Sequence, residues 1–153
     1  MAYADNHKKF VAVINRRHSL PTALNALGHV TAGLAARLGQ EPDYLDYPNL
    51  AEGFVAAISR FPFIVLEAKN SSQLAALRRA AAQRDLPHNV FISAMIGGSS
   101  AEHQVELTGA ARGHDVDYVT IVLFGKTEDL DPLTRKFSLL RDRRNEGRTD
   151  EAE

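Results

Sequence analysis

The sequence contains no cysteine, which excludes disulfide bonds, thiolate chemistry, and zinc or iron–sulfur sites built on cysteine ligands. It also lacks an excess of either charge, because its net charge is −1 at pH 7. Proteins that bind nucleic acid usually concentrate lysine and arginine, so the balanced charge disfavours such a partner. The N-terminal residues MAYADNHKKF contain no apolar run ahead of their basic pair. No secretory signal is therefore predicted, and we expect a cytoplasmic protein.

Charge is missing altogether between Arg17 and Arg37, although charged residues make up 24% of the chain. A surface helix normally turns a charged face to water, so this segment is expected to be covered on both sides or to line a cleft. Its apolar residues share one helical face: Leu20, Leu24, Leu27, Val30, Leu34 and Leu38. The segment is as long as a membrane span, but its proline, asparagine and histidines favour a soluble helix and no membrane partner.

Four apolar runs are typical of buried strands, and they occupy residues 9–15, 63–68, 89–96 and 118–124. Helical patterns stand between or after them, at residues 20–38, 49–60, 73–85 and 131–139. Strands separated by helices indicate an α/β fold with a mainly parallel sheet. The chain has 153 residues, which fit one domain with a substantial core.

Capping residues mark the helix boundaries. Ser19 is placed to cap the first helix, Pro21 lies in its first turn, and Gly39 ends it. Asn49 and Glu52 have the spacing of a capping box ahead of an apolar helical face. The pattern therefore predicts a second helix over residues 49–60.

The domain is predicted to span residues 8–140. A flexible N-terminus, residues 1–7, precedes it, and the strongly charged residues 141–153 form a tail that we expect to be disordered. Within the domain, Ser71 or Ser72 is expected to cap the helix that follows the second strand. No internal repeat is visible.

A polar stripe runs along the uncharged helix. Thr22, Asn25 and His29 are three and four residues apart, so their side chains lie on one side of the helix. A hydroxyl, an amide and an imidazole can together bind a polar group, and histidine exchanges protons near neutral pH. His29 is thus the candidate catalytic residue, with Thr22 and Asn25 as ligand-binding groups. The alternative is that these side chains form hydrogen bonds inside the fold.

Two turns complete the candidate site. Arg16 and Arg17 follow the first strand and precede a helix N-terminus, where anions are favoured and arginine can bind phosphate or carboxylate. Gly97 and Gly98 form a glycine-rich turn after the third strand. We predict that both pairs contribute to ligand binding. The alternatives are a solvated arginine pair and a turn that only needs unusual backbone angles.

A serine nucleophile is a further alternative, in which His103 would act as the base for Ser99 or Ser100. The G-x-S-x-G motif that forms a nucleophile elbow is missing around these serines. The histidines show no ligand spacing, and Asp115 with Asp117 follows no calcium-loop pattern. We predict no metal site and no cofactor.

The chain resembles the type II peptidyl-tRNA hydrolase fold. The resemblance rests on the opening strand KFVAVIN, on His29, and on the ending YVTIVLFGKTEDLDPLTRKFSLL. ALNALGHVTAGL and that ending also resemble an uncharacterised bacterial family assigned to the same fold. The resemblance covers most of residues 8–140 and implies a four-stranded mixed sheet flanked by helices, with one antiparallel strand. The hydrolases carry Lys and Gln where this chain has Thr22 and Ala26, so the lysine charge is missing.

Three functional hypotheses follow. The first is a binding module, or a divergent enzyme of unknown reaction, that takes a small polar or anionic ligand in a crevice beside the first helix. The second is a peptidyl-tRNA esterase in which Arg16 or Arg17 replaces the missing lysine, although the balanced charge disfavours tRNA as a partner. The third is a non-catalytic interaction protein, a homodimer that buries the neutral helix at its interface. The sequence does not decide whether the protein is an enzyme.

Overall fold

A computed structural model describes residues 4–142. Strands and helices follow one another as β1 (Lys8–Asn15), α1 (Leu20–Leu38), β2 (Tyr44–Asn49), β3 (Phe54–Ser59), β4 (Phe63–Ala68), α2 (Ser71–Gln83), β5 (His88–Ile92), α3 (Ala101–Ala110), β6 (Tyr118–Lys126), α4 (Thr127–Thr134) and β7 (Ser138–Leu139). Short 3₁₀ turns at Ser93–Met95 and Gly113–Asp115 flank α3. Within the described range, none of the helices combines the length and hydropathy of a membrane span.

Five strands form the main sheet, in the order β5-β6-β1-β4-β7. β1 and β4 are parallel, whereas the pairs β1–β6, β5–β6 and β4–β7 are antiparallel. An α/β domain with a mixed sheet is confirmed, but the prediction of four strands is wrong. The prediction of a helix through residue 139 is wrong as well, because α4 ends at Thr134 and the chain then adds β7 to the edge of β4.

Helix α1 lies on one face of the sheet, and its predicted boundaries are confirmed. The Ser19 side chain accepts a hydrogen bond from the Thr22 N–H, and Gly39 has a φ of 59° beyond the last turn. The buried residues are Ala23, Ala26, Val30 and Leu34, so the contact face is rotated from the predicted leucine face. Leu24 is 50% exposed because the small alanines, not the larger leucines of the first turns, let α1 approach the sheet.

Helices α2 and α4 cover the other face. Leu74 and Leu77 of α2 pack with Leu130 and Leu133 of α4 against the sheet. The N-cap of α2 is Asn70, whose Oδ1 accepts from the Gln73 N–H at 3.0 Å. The predicted cap, Ser71 or Ser72, therefore lies one or two residues too late.

Residues 44–59 form a β-hairpin, hereafter the hairpin, where the sequence pattern predicts a helix. Asn49 Oδ1 accepts from the Glu52 N–H at 3.1 Å, so the capping-box spacing marks the hairpin turn. Gly53 has a φ of 75°, which favours glycine and returns the chain into β3. Phe54 and Val55 are residue types that favour strands. The helix prediction for residues 49–60 is wrong for these local reasons.

Ion pairs anchor the base of the hairpin. Arg60 binds Asp43 through its Nε and lies 3.5 Å from Asp5 through its Nη1. The hydrogen bond and the charge of Asp43 raise the pKa of the Arg60 guanidinium. The N-terminal residues 4–7 thus contact the domain, and His7 also packs edge-on against Phe61. Residues 1–3 and most of the predicted tail, residues 143–153, lie outside the described residues.

Candidate functional site

A crevice of about 730 Å³ opens between α1, β5 and α3; it is called the His29 pocket below. Its volume is typical of sites that enclose a small molecule. Apolar side chains form most of the lining, together with a few polar groups and no charged residue: Asn25, His29, Val30, Asn89, Val90, Phe91, Met95, Ile96, Ala101, Gln104, Val105 and Thr108.

The polar stripe of α1 forms one wall of the His29 pocket. Asn25 and His29 are both exposed, and the His29 ring stacks near Phe91 of β5, with the ring centroids 6.2 Å apart. Gln104 and Thr108 stand across the crevice on α3. Within the described residues, none of these four polar side chains makes a hydrogen bond to the protein. Their bonding capacity therefore remains available to a ligand.

Other predicted residues lie outside this pocket. The Thr22 hydroxyl accepts a hydrogen bond from Ser19 Oγ at 2.9 Å and belongs to the N-terminal cap of α1. Gly97 and Gly98 follow the lining residue Ile96 but do not line the crevice themselves. Gly98 has a φ of 90°, a conformation that favours glycine. The structure thus gives these positions a role in turn and cap geometry.

Arg16 and Arg17 line a different cavity at the carboxyl ends of β1 and β4. The strand order places β4 on one side of β1 and β5 beyond β6 on the other. The His29 pocket borders β5, so the two cavities share no lining residue. The single crevice expected from the sequence is therefore two separate sites.

The serine and histidine near the glycine-rich turn act as helix caps. Ser100 Oγ accepts from the His103 N–H at 3.1 Å and caps α3. His103 Nδ1 accepts from the Ser99 N–H at 3.1 Å and lies 3.4 Å from Ser99 Oγ. Because the backbone N–H already occupies Nδ1, this nitrogen is poorly placed to take a proton from the Ser99 hydroxyl.

The sequence pattern does not predict the contact between His18 and Asp117. His18 Nε2 lies 2.9 Å from Asp117 Oδ2, joining the end of β1 to the start of β6. Asn15 spans the same junction, because its Nδ2 donates to the Tyr118 carbonyl at 2.8 Å. An antiparallel pairing of the first and last long strands would have brought these segments together. In residues 4–142, no group of three or more histidine and acidic side chains is arranged to hold a metal ion.

Comparisons with known proteins show the family and the fold. The family model described as "Protein of unknown function (DUF2000)" matches residues 8–141. The solved structure of the protein of unknown function Atu0240 from Agrobacterium tumefaciens strain C58 is similar, with a TM-score of 0.76 and 17% identity over 88% of this chain and 98% of that chain. No curated protein matches the chain. The match over residues 8–141 shows that this chain belongs to the DUF2000 family of proteins of unknown function.

Proposed function

We propose that this protein is a binding module whose His29 pocket takes a small, uncharged ligand with a flat apolar body and a hydrogen-bonding end. The observation that carries the proposal is the set of polar side chains that have no hydrogen-bond partner in the described part of the chain and stand on a mainly apolar lining. Binding sites for small molecules combine apolar walls with a few polar groups in this way. A charged ligand would leave its charge without a counter-ion, because no Lys, Arg, Asp or Glu of the described residues lines the pocket.

The exposed His29 ring, which stacks beside the buried Phe91, supplies the flat surface for such a ligand. Asn25 and Gln104 supply donors and acceptors from opposite walls. His29 is also the titratable side chain of this lining. If the module is a divergent enzyme, proton transfer to or from the ligand runs through His29.

Benzamide is a suitable probe because it joins an uncharged ring to an amide. We expect it to shift the backbone NMR signals of Asn25, Phe91 and Gln104 in a saturable way. His29→Ala and Gln104→Ala should each weaken its binding about two- to tenfold, the range expected for one lost contact or hydrogen bond. His114→Ala is the matched control, because His114 is exposed in the 3₁₀ turn after α3 and does not line the pocket.

Benzoate tests the charge requirement, since it replaces the amide with a carboxylate of the same shape. The proposal predicts weaker binding of benzoate than of benzamide. Equal binding of the two probes, or signal changes that survive both pocket substitutions, would contradict it.

The resemblance to type II peptidyl-tRNA hydrolases supports an esterase with the same fold as an alternative. Two observations favour the small-molecule module instead. Thr22, which stands where the hydrolases carry lysine, is part of the α1 cap, and the arginines that would replace the lysine line another cavity than His29 does. Turnover of a peptidyl-tRNA that is lost in His29→Ala would favour the esterase.

Self-association through the hairpin is a second candidate function. The β2–β3 register places Leu45, Tyr47, Phe54 and Ile58 on one side of the hairpin. Tyr47 is 48%, Phe54 53% and Ile58 50% exposed. This side, the hairpin face, carries no charge, because Asp46 alternates to the opposite side. A two-stranded hairpin is marginally stable alone, so burial of this face would stabilise it.

A second copy of the chain fits the hairpin face best. Two identical uncharged faces can meet about a twofold axis without burying a charge. The exposed apolar side chains of the face are joined at the tip by Leu50, which is 95% exposed. A standard interface buries about 800 Å² per partner, so the surroundings of the face must supply part of this area.

Sedimentation equilibrium tests the assembly. Wild-type protein should sediment as a dimer and Phe54→Ser as a monomer. Val55→Ser is the matched control, because Val55 is 64% exposed on the opposite side of the same strand, and it should remain dimeric. A monomeric wild-type protein, or equal dissociation of both variants, would contradict the proposal.

A further inference from the structure

The cavity that holds Arg16 and Arg17 has a strongly basic lining. It measures about 540 Å³ and lies where β1 and β4 end; it is called the cationic pocket below. Among the described residues, five basic side chains line it against one carboxylate, Glu67: Arg16, Arg17, Lys69, Lys136 and Arg141. The rest of the chain has the opposite balance, an excess of acidic residues, because the net charge of the whole protein is −1.

Glu67 neutralises only part of this charge. Its Oε2 lies 3.4 Å from Arg16 Nε, and the Glu67 side chain is 8% exposed. The four other basic side chains form no ion pair within the described residues. Arg16 Nε is buried and has no hydrogen-bond partner in the same part of the chain. An anion in the cavity would therefore meet unneutralised charge.

The backbone holds the basic groups in place before any ligand arrives. Arg17 is fixed twice, because its N–H donates to Asn15 Oδ1 at 3.0 Å and its Nε donates to the Lys69 carbonyl at 3.2 Å. The Lys69 N–H in turn donates to Gln73 Oε1 at 2.8 Å. These contacts leave the terminal amino groups of Arg17 and the Lys69 ammonium available. Fixing them beforehand lowers the entropy that binding costs.

The position of the cationic pocket in the fold also favours an anionic ligand. Ligands of open α/β sheets collect beyond the carboxyl ends of parallel strands, and β1 and β4 are the parallel pair of this sheet. The N-terminus of α2 lies beside Lys69, and the positive end of the helix dipole there favours an anion. Arginine side chains bind phosphate oxygens in pairs of charge-assisted hydrogen bonds.

We propose that the cationic pocket binds a phosphate group, free or esterified to a small molecule. A cavity of about 540 Å³ has room for a small phosphate ester. A nucleic-acid strand would need basic residues along an extended surface, and the charge here is confined to one cavity. This site is separate from the His29 pocket, so either proposal can fail while the other stands.

Backbone NMR titration of the wild-type protein tests the site, with inorganic phosphate, phenyl phosphate and acetate at constant ionic strength. Phosphate or phenyl phosphate should shift the signals of Arg17, Lys69 and Gln73 in a saturable way and leave those of Asn25 and His29 in place. Tighter binding of inorganic phosphate would indicate free phosphate as the ligand, and tighter binding of phenyl phosphate would indicate a phosphate ester. Acetate should bind at least about tenfold more weakly.

Arg17→Ala and Lys69→Ala should each weaken phosphate binding about tenfold, the cost of one charge-assisted hydrogen bond. Arg79→Ala is the control, because Arg79 is exposed on α2 and does not line the cavity. Both Arg17 and Lys69 are exposed, so the variants are expected to fold, and a thermal melt checks this. Absence of saturable binding, equal binding of acetate, equal weakening by Arg79→Ala, or tighter binding of a short oligoribonucleotide titrated in the same way would overturn the proposal.

Discussion

Asn89 and Gly33 meet where β5 crosses α1. Asn89 Nδ2 donates to the carbonyl of Val30 at 3.1 Å, and a Cβ at position 33 would lie 2.8 Å from the same nitrogen. The absence of a side chain at Gly33 therefore lets the Asn89 amide reach the helix backbone. This contact fixes β5 against α1, and with it the floor of the His29 pocket.

Gly33→Ala should lower the affinity for benzamide while changing the stability of the protein little. The added methyl group displaces the Asn89 amide, which costs about 1 kcal/mol, whereas alanine improves helix propensity by about 1 kcal/mol. The free energy of unfolding should thus change by less than about 1 kcal/mol, while benzamide affinity falls. Gly28→Ala on the same helix is the control, because nothing lies within 4 Å of a Cβ there. It should stabilise the protein and leave binding unchanged; loss of binding in both variants would contradict the account.

Filling the His29 pocket should block it without harming the fold. Ala101 is exposed at the start of α3 and lines the crevice, so Ala101→Phe places a ring in the ligand's space. Denaturant unfolding should shift little, and benzamide should lose its saturable NMR response. Ala110→Phe, at the exposed far end of α3, is expected to bind like wild type. If Ala101→Phe binds benzamide as tightly as the wild-type protein does, the probe does not occupy the His29 pocket.

Asn15 should prove costly to replace. It is 1% exposed and bonds both the Tyr118 carbonyl and the Arg17 N–H. Asn15→Ala leaves both groups without their partner, so urea unfolding should show a loss of roughly 2–4 kcal/mol. Asn15→Asp keeps an acceptor for Arg17 but replaces the donor to Tyr118 with a carboxylate oxygen, which adds a buried negative charge. If phosphate binding persists in Asn15→Asp but not in Asn15→Ala, the fixed Arg17 backbone matters for the cationic pocket; equal phosphate affinity in both variants would argue against that role.

The rotated face of α1 predicts a contrast between two leucines. Leu34 is 1% exposed and Leu24 is 50% exposed. Leu34→Ala should cost about 2–5 kcal/mol of unfolding free energy, as buried leucines do, and Leu24→Ala less than about 1 kcal/mol. Similar losses at both positions would mean that the leucine face predicted from the sequence is the buried one.

The sequence predicts α1 well because its signals are local. A capping serine, a proline in the first turn and a glycine after the last turn each act within a few residues. The contact face is less predictable, since the tight fit against the sheet selects Ala23 and Ala26 over leucines. Which side chains are small enough to touch a sheet depends on what lies opposite.

The hairpin shows where local signals conflict. The Asn49–Glu52 spacing serves a helix cap and a hairpin turn equally well, because both place a side-chain oxygen on the N–H three residues on. The segment forms a strand because the aromatic and β-branched residues of β3 favour strands over helices. β7 has only two residues and no pattern of its own, and its pairing with β4 supplies what the local sequence lacks.

The sequence predicts the wall of the His29 pocket that α1 supplies, but not the wall that α3 supplies. Asn25 and His29 share a helix side by spacing alone, whereas Gln104 lines the same crevice only because the chain after β5 brings α3 opposite α1. The separation of Arg17 from His29 follows from the strand order, and the apolar runs alone do not reveal which strands are neighbours.

The central claim is that an uncharged ligand occupies the His29 pocket. Intermolecular nuclear Overhauser effects from the ring protons of benzamide test it most directly, because they report which side chains touch the probe. We expect contacts to the methyl groups of Met95 and Val105, which both line the crevice. Contacts only to Tyr47 and Phe54 of the hairpin face, or none at all, would contradict it.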